Sequence, residues 1–146
     1  MHDANILVVD DNPDHLELIV MALTECCDPK DIATASDGLE ALDYLQSRDT
    51  EGAGGALPRV VILDMKLVRM HGLEVLKALR ANPQTATLPV VMHSSSTEKG
   101  DIAACYEHGA NCYVRKATDY DELRRKMRQV HDFWLDVNEG AAPQRG

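Results

Sequence analysis

The sequence contains no long apolar run. The first run, residues 6–9, is far shorter than the core of a secretory signal, and no stretch approaches the roughly 20 apolar residues of a membrane-spanning helix. Basic residues are also few, because 15 Lys and Arg stand against 24 Asp and Glu and leave a formal charge of −9. This balance argues against a nucleic-acid binder, which would carry a basic face. We therefore expect a cytoplasmic protein that binds neither a membrane nor a nucleic acid.

Cysteine pairs with the CxxC spacing of a zinc or redox motif are absent as well. The four cysteines include an adjacent pair, Cys26 and Cys27, and without a secretory signal we expect reduced, buried thiols. The length of 146 residues favours one domain with a core that needs no disulfide or metal. We expect the domain at residues 1–139, with a flexible glycine-rich loop at 50–55, and a flexible tail at 140–146.

Short apolar runs alternate with helical patterns along the chain. Asn12 and Pro13 mark the start of the first helix, as N-cap and first helical residue, and the last helix extends from about residue 120 to 138. Strands that alternate with helices indicate an α/β fold, a doubly wound parallel sheet of order 2-1-3-4-5 with helices on both faces. The five predicted strands are residues 6–9, 32–35, 60–63, 89–92 and 112–114.

Polar side chains follow four of these strands at their carboxyl ends. They are Asp10 and Asp11 after the first strand, Asp64 after the third, Ser94 after the fourth and Lys116 after the fifth. Ligands of a doubly wound sheet bind at this edge. Three crowded carboxylates repel one another unless a cation joins them, and oxygen ligands of high charge suit Mg²⁺. With a positive clamp around it, Asp64 could bind a phosphoryl group or act as the nucleophile.

Each of these residues also has a plainer interpretation. An acid after a strand is most often a turn residue or a helix cap, so Asp10 and Asp11 could simply cap the first helix. Ser94 could be a loop residue and Lys116 a solvated charge, and His93 is most simply a hydrogen-bonded core or pocket-edge histidine, not a metal ligand. We favour the phosphoryl site because all four strand ends carry matching chemistry.

Over residues 4–132, the apolar strands and the polar residues at their ends resemble the receiver domain of two-component response regulators. The resemblance implies a flavodoxin-like receiver fold and a signalling protein that accepts a phosphoryl group on Asp64 from a sensor histidine kinase, with Mg²⁺ as cofactor. It implies no enzymatic activity beyond self-phosphorylation and autodephosphorylation. The matching segments are residues 6–12, 60–64, 72, 88–91 with Ser94, and 109–113 with Lys116.

The resemblance also assigns the metal ligands. Asp64 is both phosphoacceptor and ligand, Asp11 binds Mg²⁺ directly, and Asp10 holds a metal-bound water. The backbone carbonyl of Lys66 completes the ligands that the protein supplies. The Lys66 side chain brings a cation two residues past Asp64, where it could hold the phosphate, obstruct water or compete with Mg²⁺.

Three further roles follow from the same resemblance. Ser94 is the switch hydroxyl, Lys116 is the phosphate clamp, and Tyr113 is the aromatic residue that changes rotamer on phosphorylation. The chain departs from the family pattern at Val68 and Ala117, where proline is usual.

More narrowly, the chain is similar to single-domain regulators that work with phytochromes. This likeness is carried by the glycine-rich segment before the third strand, by residues 111–113 and by Phe133 with Trp134. It implies a phytochrome-type histidine kinase as the partner.

Two other functions remain open on the sequence. A phosphohydrolase with an aspartyl nucleophile would need an acid two residues after Asp64, where the chain has Lys66. A flavodoxin-like binder of flavin mononucleotide would need a Ser/Thr/Gly-rich phosphate loop after the first strand, where Asp10 and Asp11 would repel the phosphate. Both residue patterns disfavour these alternatives.

The last helix predicts a homodimer. Leucine, methionine and valine repeat along it with Trp134 at three- and four-residue spacing, which gives one stripe that can cover the sheet. Tyr120 and Phe133 lie at the margin of the stripe, and the far end of the helix would extend past the sheet. Aromatic side chains left in water there usually mark a contact surface, so we expect Tyr120, Phe133 and Trp134 to form a symmetric interface.

Overall fold

The structure of the protein, a computed structural model, describes residues 4–48 and 55–140. Apart from Gly55 and Gly140, the predicted glycine-rich loop and tail lie outside these residues. Within them, no helix is both long and apolar enough to cross a membrane. The strands are β1 (Ile6–Val9), β2 (Ile32–Ala35), β3 (Val60–Asp64), β4 (Val90–Ser94) and β5 (Cys112–Arg115). The α-helices are α1 (Pro13–Leu23), α2 (Gly38–Arg48), α3 (Gly72–Ala81), α4 (Lys99–Glu107) and α5 (Tyr120–Asp132).

The strands form one parallel sheet in the order β2-β1-β3-β4-β5, which confirms the predicted doubly wound α/β fold. The three central strands, β1, β3 and β4, are buried along their whole length. Their continuous apolar runs fit this position, because helices cover both faces of a parallel sheet. Side chains of α1 and α5 pack on one face, and those of α2 and α3, with Cys105 of α4, pack on the other.

The pairing register brings the polar strand ends to one edge of the sheet. Val9 pairs with Leu63, so the residue that follows β1 lies beside the last residue of β3. Asp64 in turn pairs with His93, and Ser94 pairs with Arg115. The carboxyl ends of β1, β3, β4 and β5 therefore meet where the sequence predicted a site.

Asn12 begins α1 as predicted. Its side-chain oxygen accepts hydrogen bonds from the backbone N–H groups of Asp14 (2.9 Å) and His15 (3.2 Å), and Pro13 is the first helical residue. The helix thus starts directly after Asp10 and Asp11, and Asn12 supplies the cap. The cap therefore leaves both acids available at the edge of the sheet.

Arg80 of α3 anchors the opposite edge of the sheet. Its half-buried guanidinium donates to the carbonyl oxygens of residues 85, 86, 88 and 109 and to the side-chain oxygen of Asn111. The same Asn111 oxygen accepts from the N–H of Val90, so the starts of β4 and β5 are held together. Gly109 is required there, because its φ is 101° and a Cβ would lie 2.9 Å from the Arg80 side chain. The contact fixes the two strands that carry Ser94 and Lys116.

The end of the last helix differs from the prediction of one α-helix to about residue 138. α5 ends at Asp132 and continues as a π-helical turn, Phe133–Val137, in which Asn138 donates its N–H to the Phe133 carbonyl at 2.7 Å. The extra residue in this turn breaks the predicted stripe. Trp134 and Leu135 pack against the protein's own core, while Phe133 is 46% and Val137 is 63% exposed. The expectation that Trp134 lacks a surface of its own chain to pack against is therefore wrong.

Candidate functional site

Three carboxylates meet at the carboxyl edge of the sheet. Asp10 follows β1 and is 1% exposed, Asp64 ends β3 and is 6% exposed, and Asp11 is half-buried beside them. One carboxylate oxygen of each lies within 4.8 Å of the others, and we call these three residues the carboxylate cluster. An oxygen-only donor set with this charge suits a hard divalent cation such as Mg²⁺. The structure thus brings together the three acids that the sequence predicted as metal ligands.

Lys116 reaches into the cluster from the end of β5. Its ammonium donates to Oδ2 of Asp10 and to Oδ2 of Asp64, both at 3.1 Å. Burial alone would lower the pKa of Lys116, but the carboxylates of Asp64 and Asp10 outweigh it and raise the pKa, so the side chain stays charged. One ammonium thus faces three carboxylates, which leaves an excess of negative charge for a cation to balance.

The two most buried acids are further held by the backbone. Asp10 Oδ1 accepts from the N–H of Asn12 at 2.9 Å, and Asp64 Oδ1 accepts from the N–H of Lys66 at 3.2 Å. Burial nevertheless raises the pKa of Asp64, and the nearby Asp10 carboxylate adds to it, against the opposing effect of Lys116. The surroundings of Asp64 therefore compensate only part of its negative charge.

The loop after Asp64 carries Lys66, whose side chain is exposed. Its N–H bond to Asp64 keeps its backbone beside the carboxylate cluster. The acid that a phosphohydrolase would need two residues after Asp64 is thus replaced by a lysine. Asp10 and Asp11 occupy the turn where a flavin phosphate would lie. Neither alternative function gains support from the site.

Ser94 and Tyr113 are linked through Ser96, which the sequence reasoning missed. Ser94 is 2% exposed at the end of β4, one residue beyond the partner of Asp64, and its Oγ accepts from the Ser96 N–H at 3.2 Å. The Tyr113 hydroxyl donates to the Ser96 carbonyl at 2.8 Å, and the Ser96 hydroxyl donates to Asp101 of α4 at 2.6 Å. The sequence feature that could have indicated this link is the serine run before α4, because serine hydroxyls commonly bond to nearby backbone groups in turns.

His93 is buried, as predicted, at the edge of a groove between α1 and α5. It is 3% exposed, but a hydrogen bond predicted for its ring is missing at Nε2, which has no partner among the described residues. Burial lowers the pKa of His93 to about 4, and the positive charge of Lys116 adds to this effect. The groove has a volume of about 790 Å³ and is also lined by Lys116, Tyr120 and Lys126. His93 is thus a neutral imidazole next to the site.

The predicted interface residues line two grooves that share Arg115 and Lys126. Phe133 and Trp134 contact each other edge to face, with ring centroids 4.8 Å apart and planes at 87°. Both line a second groove, of about 620 Å³, together with Cys112 and Val114 of the edge strand β5. Tyr120 is half-buried and lines the groove of His93 instead. Tyr120 thus lines a different groove from the two aromatic residues at the end of α5, and the interface of all three stays a prediction.

Comparison with known proteins identifies the family pattern over most of the chain. A family model described as the response regulator receiver domain matches residues 6–128. Among sequences, the probable methanogenesis regulatory protein FilR2 of Methanothrix harundinacea is 34% identical and covers 94% of this chain and 88% of its own. The response regulator Rcp1 of Synechocystis is 30% identical and covers 90% of this chain and 89% of its own.

Among solved structures, the phosphorylated cyanobacterial phytochrome response regulator RcpA has a TM-score of 0.85. It is 31% identical and covers 97% of this chain and 100% of its own. A Mn²⁺-bound form of Rcp1 has a TM-score of 0.80, is 28% identical, and covers 97% of this chain and 100% of its own. The likeness thus extends to proteins described with a phosphoryl group and with a divalent cation.

Proposed function

The chain belongs to the response regulator receiver domain family, and we propose that it is a response regulator that accepts a phosphoryl group on Asp64. The observation that carries the proposal is the Lys116 ammonium, which lies 3.1 Å from both Asp10 and Asp64 inside the carboxylate cluster. A buried acid flanked by a fixed cation and a site for a second cation has the parts that phosphoryl transfer needs.

We propose Mg²⁺ as the cofactor, bound directly by Asp11 and Asp64. The carbonyl of Lys66 would be the third protein ligand, and Asp10 would hold a metal-bound water. When bound, Mg²⁺ would supply positive charge against the phosphoryl oxygens. Support comes from the donor set, which consists of oxygen atoms and has three carboxylates against one ammonium.

In the transfer step, a carboxylate oxygen of Asp64 would form a P–O bond while the P–N bond of a kinase phosphohistidine breaks. The electron pair of the broken bond stays on the imidazole nitrogen, which takes a proton from solvent. Lys116 would pair with a phosphoryl oxygen, and the Ser94 hydroxyl would donate to another. Tyr113 would respond through Ser96, because its hydroxyl donates to the Ser96 carbonyl.

We propose a phytochrome-type sensor histidine kinase in the cytoplasm as the donor. Support comes from the likeness to RcpA, a phytochrome response regulator, over 97% of this chain. The role of this chain would then be signalling, with no turnover beyond its own phosphorylation and dephosphorylation.

Phosphorylation by acetyl phosphate tests the proposed function. We expect the intact mass of the wild-type chain to rise by one phosphoryl group when Mg²⁺ is present and not when EDTA replaces it. Hydroxylamine should remove the added group, because it cleaves acyl phosphates and leaves phosphoserine intact. Labelling that is equal in EDTA, or that resists hydroxylamine, would contradict the proposal.

We predict that Lys66→Asn shortens the lifetime of the phosphoryl group by more than about twofold. The exposed Lys66 side chain starts two residues from Asp64, where its charge can hold a phosphoryl oxygen and obstruct the attacking water. The measurement is the decay of the phosphorylated mass after removal of acetyl phosphate, with the exposed Lys77→Asn as the matched control. A decay rate equal to that of the control would show that Lys66 is only a solvated charge.

We also propose a homodimer built on the end of α5 and the edge strand β5. Support comes from Phe133, which is 46% exposed beside the groove that Cys112 and Val114 line. A two-fold axis through this surface would bury Phe133 of both copies.

Sedimentation velocity at tens of micromolar tests the dimer. The wild-type chain should sediment as a dimer and Phe133→Ala as a monomer, because the substitution removes the exposed ring and leaves Trp134 in its own core. Leu18→Ala removes a 39% exposed apolar side chain from α1 and serves as the control, which should remain dimeric. A monomeric wild type, or a dimeric Phe133→Ala variant, would refute the proposed interface.

A further inference from the structure

The loop that joins Asp64 to α3, residues 65–71, contains an unusual backbone conformation. Arg69 has a φ of 64°, the one positive φ found at a residue other than glycine within the described residues. This left-handed region disfavours side chains with a Cβ, so a conformation of this kind persists only when surrounding contacts hold it. The contacts of Arg69 therefore require an explanation.

The Arg69 side chain is tied to the start of α2. Its Nε lies 2.8 Å and its Nη2 lies 2.7 Å from Oδ2 of Asp37. The other oxygen of Asp37 accepts the N–H of Glu40 at 2.8 Å and so caps the helix. Asp37 is half-buried, and the bond to the Glu40 N–H, with the Arg69 guanidinium, lowers its pKa. One carboxylate thus joins the helix start to the loop.

Two glycines bring the loop close to its neighbours. A Cβ on Gly38, next to Asp37, would lie 2.2 Å from the Met70 carbonyl oxygen. A Cβ on Gly72 would lie 2.3 Å from the Asp64 carbonyl oxygen, and Gly72 donates its N–H to Met65 at 2.9 Å. The loop is therefore seated between the start of α2 and the end of β3. Within it, Lys66 is three residues before Arg69.

We propose that Arg69 is a positioning residue for the metal site, and that its ion pair with Asp37 holds the loop so that the Lys66 carbonyl stays in place for Mg²⁺. This inference rests on the proposed function. Mg²⁺ requires nearly ideal octahedral geometry, so a small displacement of one ligand weakens its binding. Rigid side-chain pairs around a site commonly set the position of its ligands.

The sign of the effect separates this role from simple electrostatics. Removal of a positive charge near the carboxylate cluster should strengthen the binding of any cation through the field alone. If Arg69 acts by holding the loop, its removal weakens Mg²⁺ binding instead. Asp37→Asn should weaken binding under both explanations, whereas the two explanations disagree on Arg69→Ala.

Isothermal titration calorimetry of Mg²⁺ binding at constant ionic strength tests the proposal. We expect the dissociation constant to rise about three- to fivefold in Arg69→Ala and Asp37→Asn, which is the upper range for an exposed ion pair. Arg69→Lys should regain part of the affinity. Arg69→Gly relieves the backbone strain and still loses the ion pair, so it should bind as weakly as Arg69→Ala. Arg124→Ala breaks a comparable pair with Glu25, at 2.8 Å between α5 and the turn after α1, and is the matched control.

Each outcome has a definite meaning. Mg²⁺ binding in Arg69→Ala that is as tight as in the wild type or tighter, or wild-type affinity in Arg69→Gly, would overturn the proposal that the ion pair holds the loop. A weakening shared by Arg124→Ala would show that breaking any surface ion pair weakens Mg²⁺ binding, and would overturn the specific role of Arg69 as well. If the proposal is right, Arg69→Ala melts close to the wild-type temperature without metal. Its weaker Mg²⁺ binding should slow phosphorylation by acetyl phosphate at limiting Mg²⁺ and not at saturating Mg²⁺. A wild-type chain that binds Mg²⁺ but takes up no phosphoryl group would contradict the proposed function and leave the calorimetric result intact.

Discussion

Asp64→Asn is expected to abolish phosphoryl uptake from acetyl phosphate under conditions that label the wild-type chain. The amide cannot supply the anionic oxygen that forms the P–O bond, and it removes one of the three charges that would attract Mg²⁺. Intact mass after parallel incubations gives the measurement. Asp43→Asn, at an exposed position on α2, is the matched control and should be labelled like the wild type. Labelling of Asp64→Asn at the wild-type level would contradict the assignment of the phosphoacceptor.

The same variant should be more stable than the wild type without metal. Burial raises the pKa of Asp64, so the folded state holds the ionised carboxylate at a cost above that pKa, and an amide avoids this cost at neutral pH. Lys116 keeps its contact with Asp10, 3.1 Å away. The melting temperature in EDTA should therefore rise, by roughly 2–4 °C for each kcal/mol gained. A variant that is both unlabelled and less stable would show structural damage instead of a lost acceptor.

The strands and their order could be predicted because their signals are local and strong. Each central strand is a continuous apolar run, and β1 and β3 end directly at acids that cannot lie inside the sheet without partners. The parallel order then brings the ends together, which is why Asp10, Asp64 and Lys116 could be assigned to one site before any distance was known. The cap at Asn12 was predictable for the same reason, since cap and helix are adjacent in sequence.

Contacts between distant segments carried no such signal. Thirty-two positions separate Arg69 from Asp37, and nothing in either neighbourhood predicts their pairing. The π-helical turn at the end of α5 was missed because apolar residues at three- and four-residue spacing fit a regular α-helix equally well. Within the turn, Arg59 donates to the Leu135 carbonyl at 2.9 Å, a remote contact that no local pattern predicts. Trp134 packs against the core and Phe133 remains exposed.

His93 should make the stability of the wild-type chain fall as the pH is lowered. In the unfolded chain the imidazole titrates near its ordinary pKa of 6.5, whereas in the folded protein burial lowers the pKa to about 4. Protons therefore bind the unfolded state preferentially between these values, and the stability present above pH 6.5 is lost as the pH falls toward 4. The loss from this group alone should be about 2 kcal/mol at about pH 5 and should approach about 3 kcal/mol near pH 4.

His93→Leu isolates this contribution because leucine does not titrate and leaves no polar atom without a partner. Urea unfolding of the wild type and the variant at about pH 7.5 and about pH 5 gives two differences in the free energy of unfolding. Relative to the wild type, the variant should gain about 2 kcal/mol on going to the lower pH, whatever the other groups contribute. His15→Leu, at an exposed position on α1 beside the same groove, is the matched control for loss of an imidazole. A wild type and a His93→Leu variant that lose stability in parallel would show that His93 can be protonated in the folded protein without cost, which its burial and the charge of Lys116 should prevent.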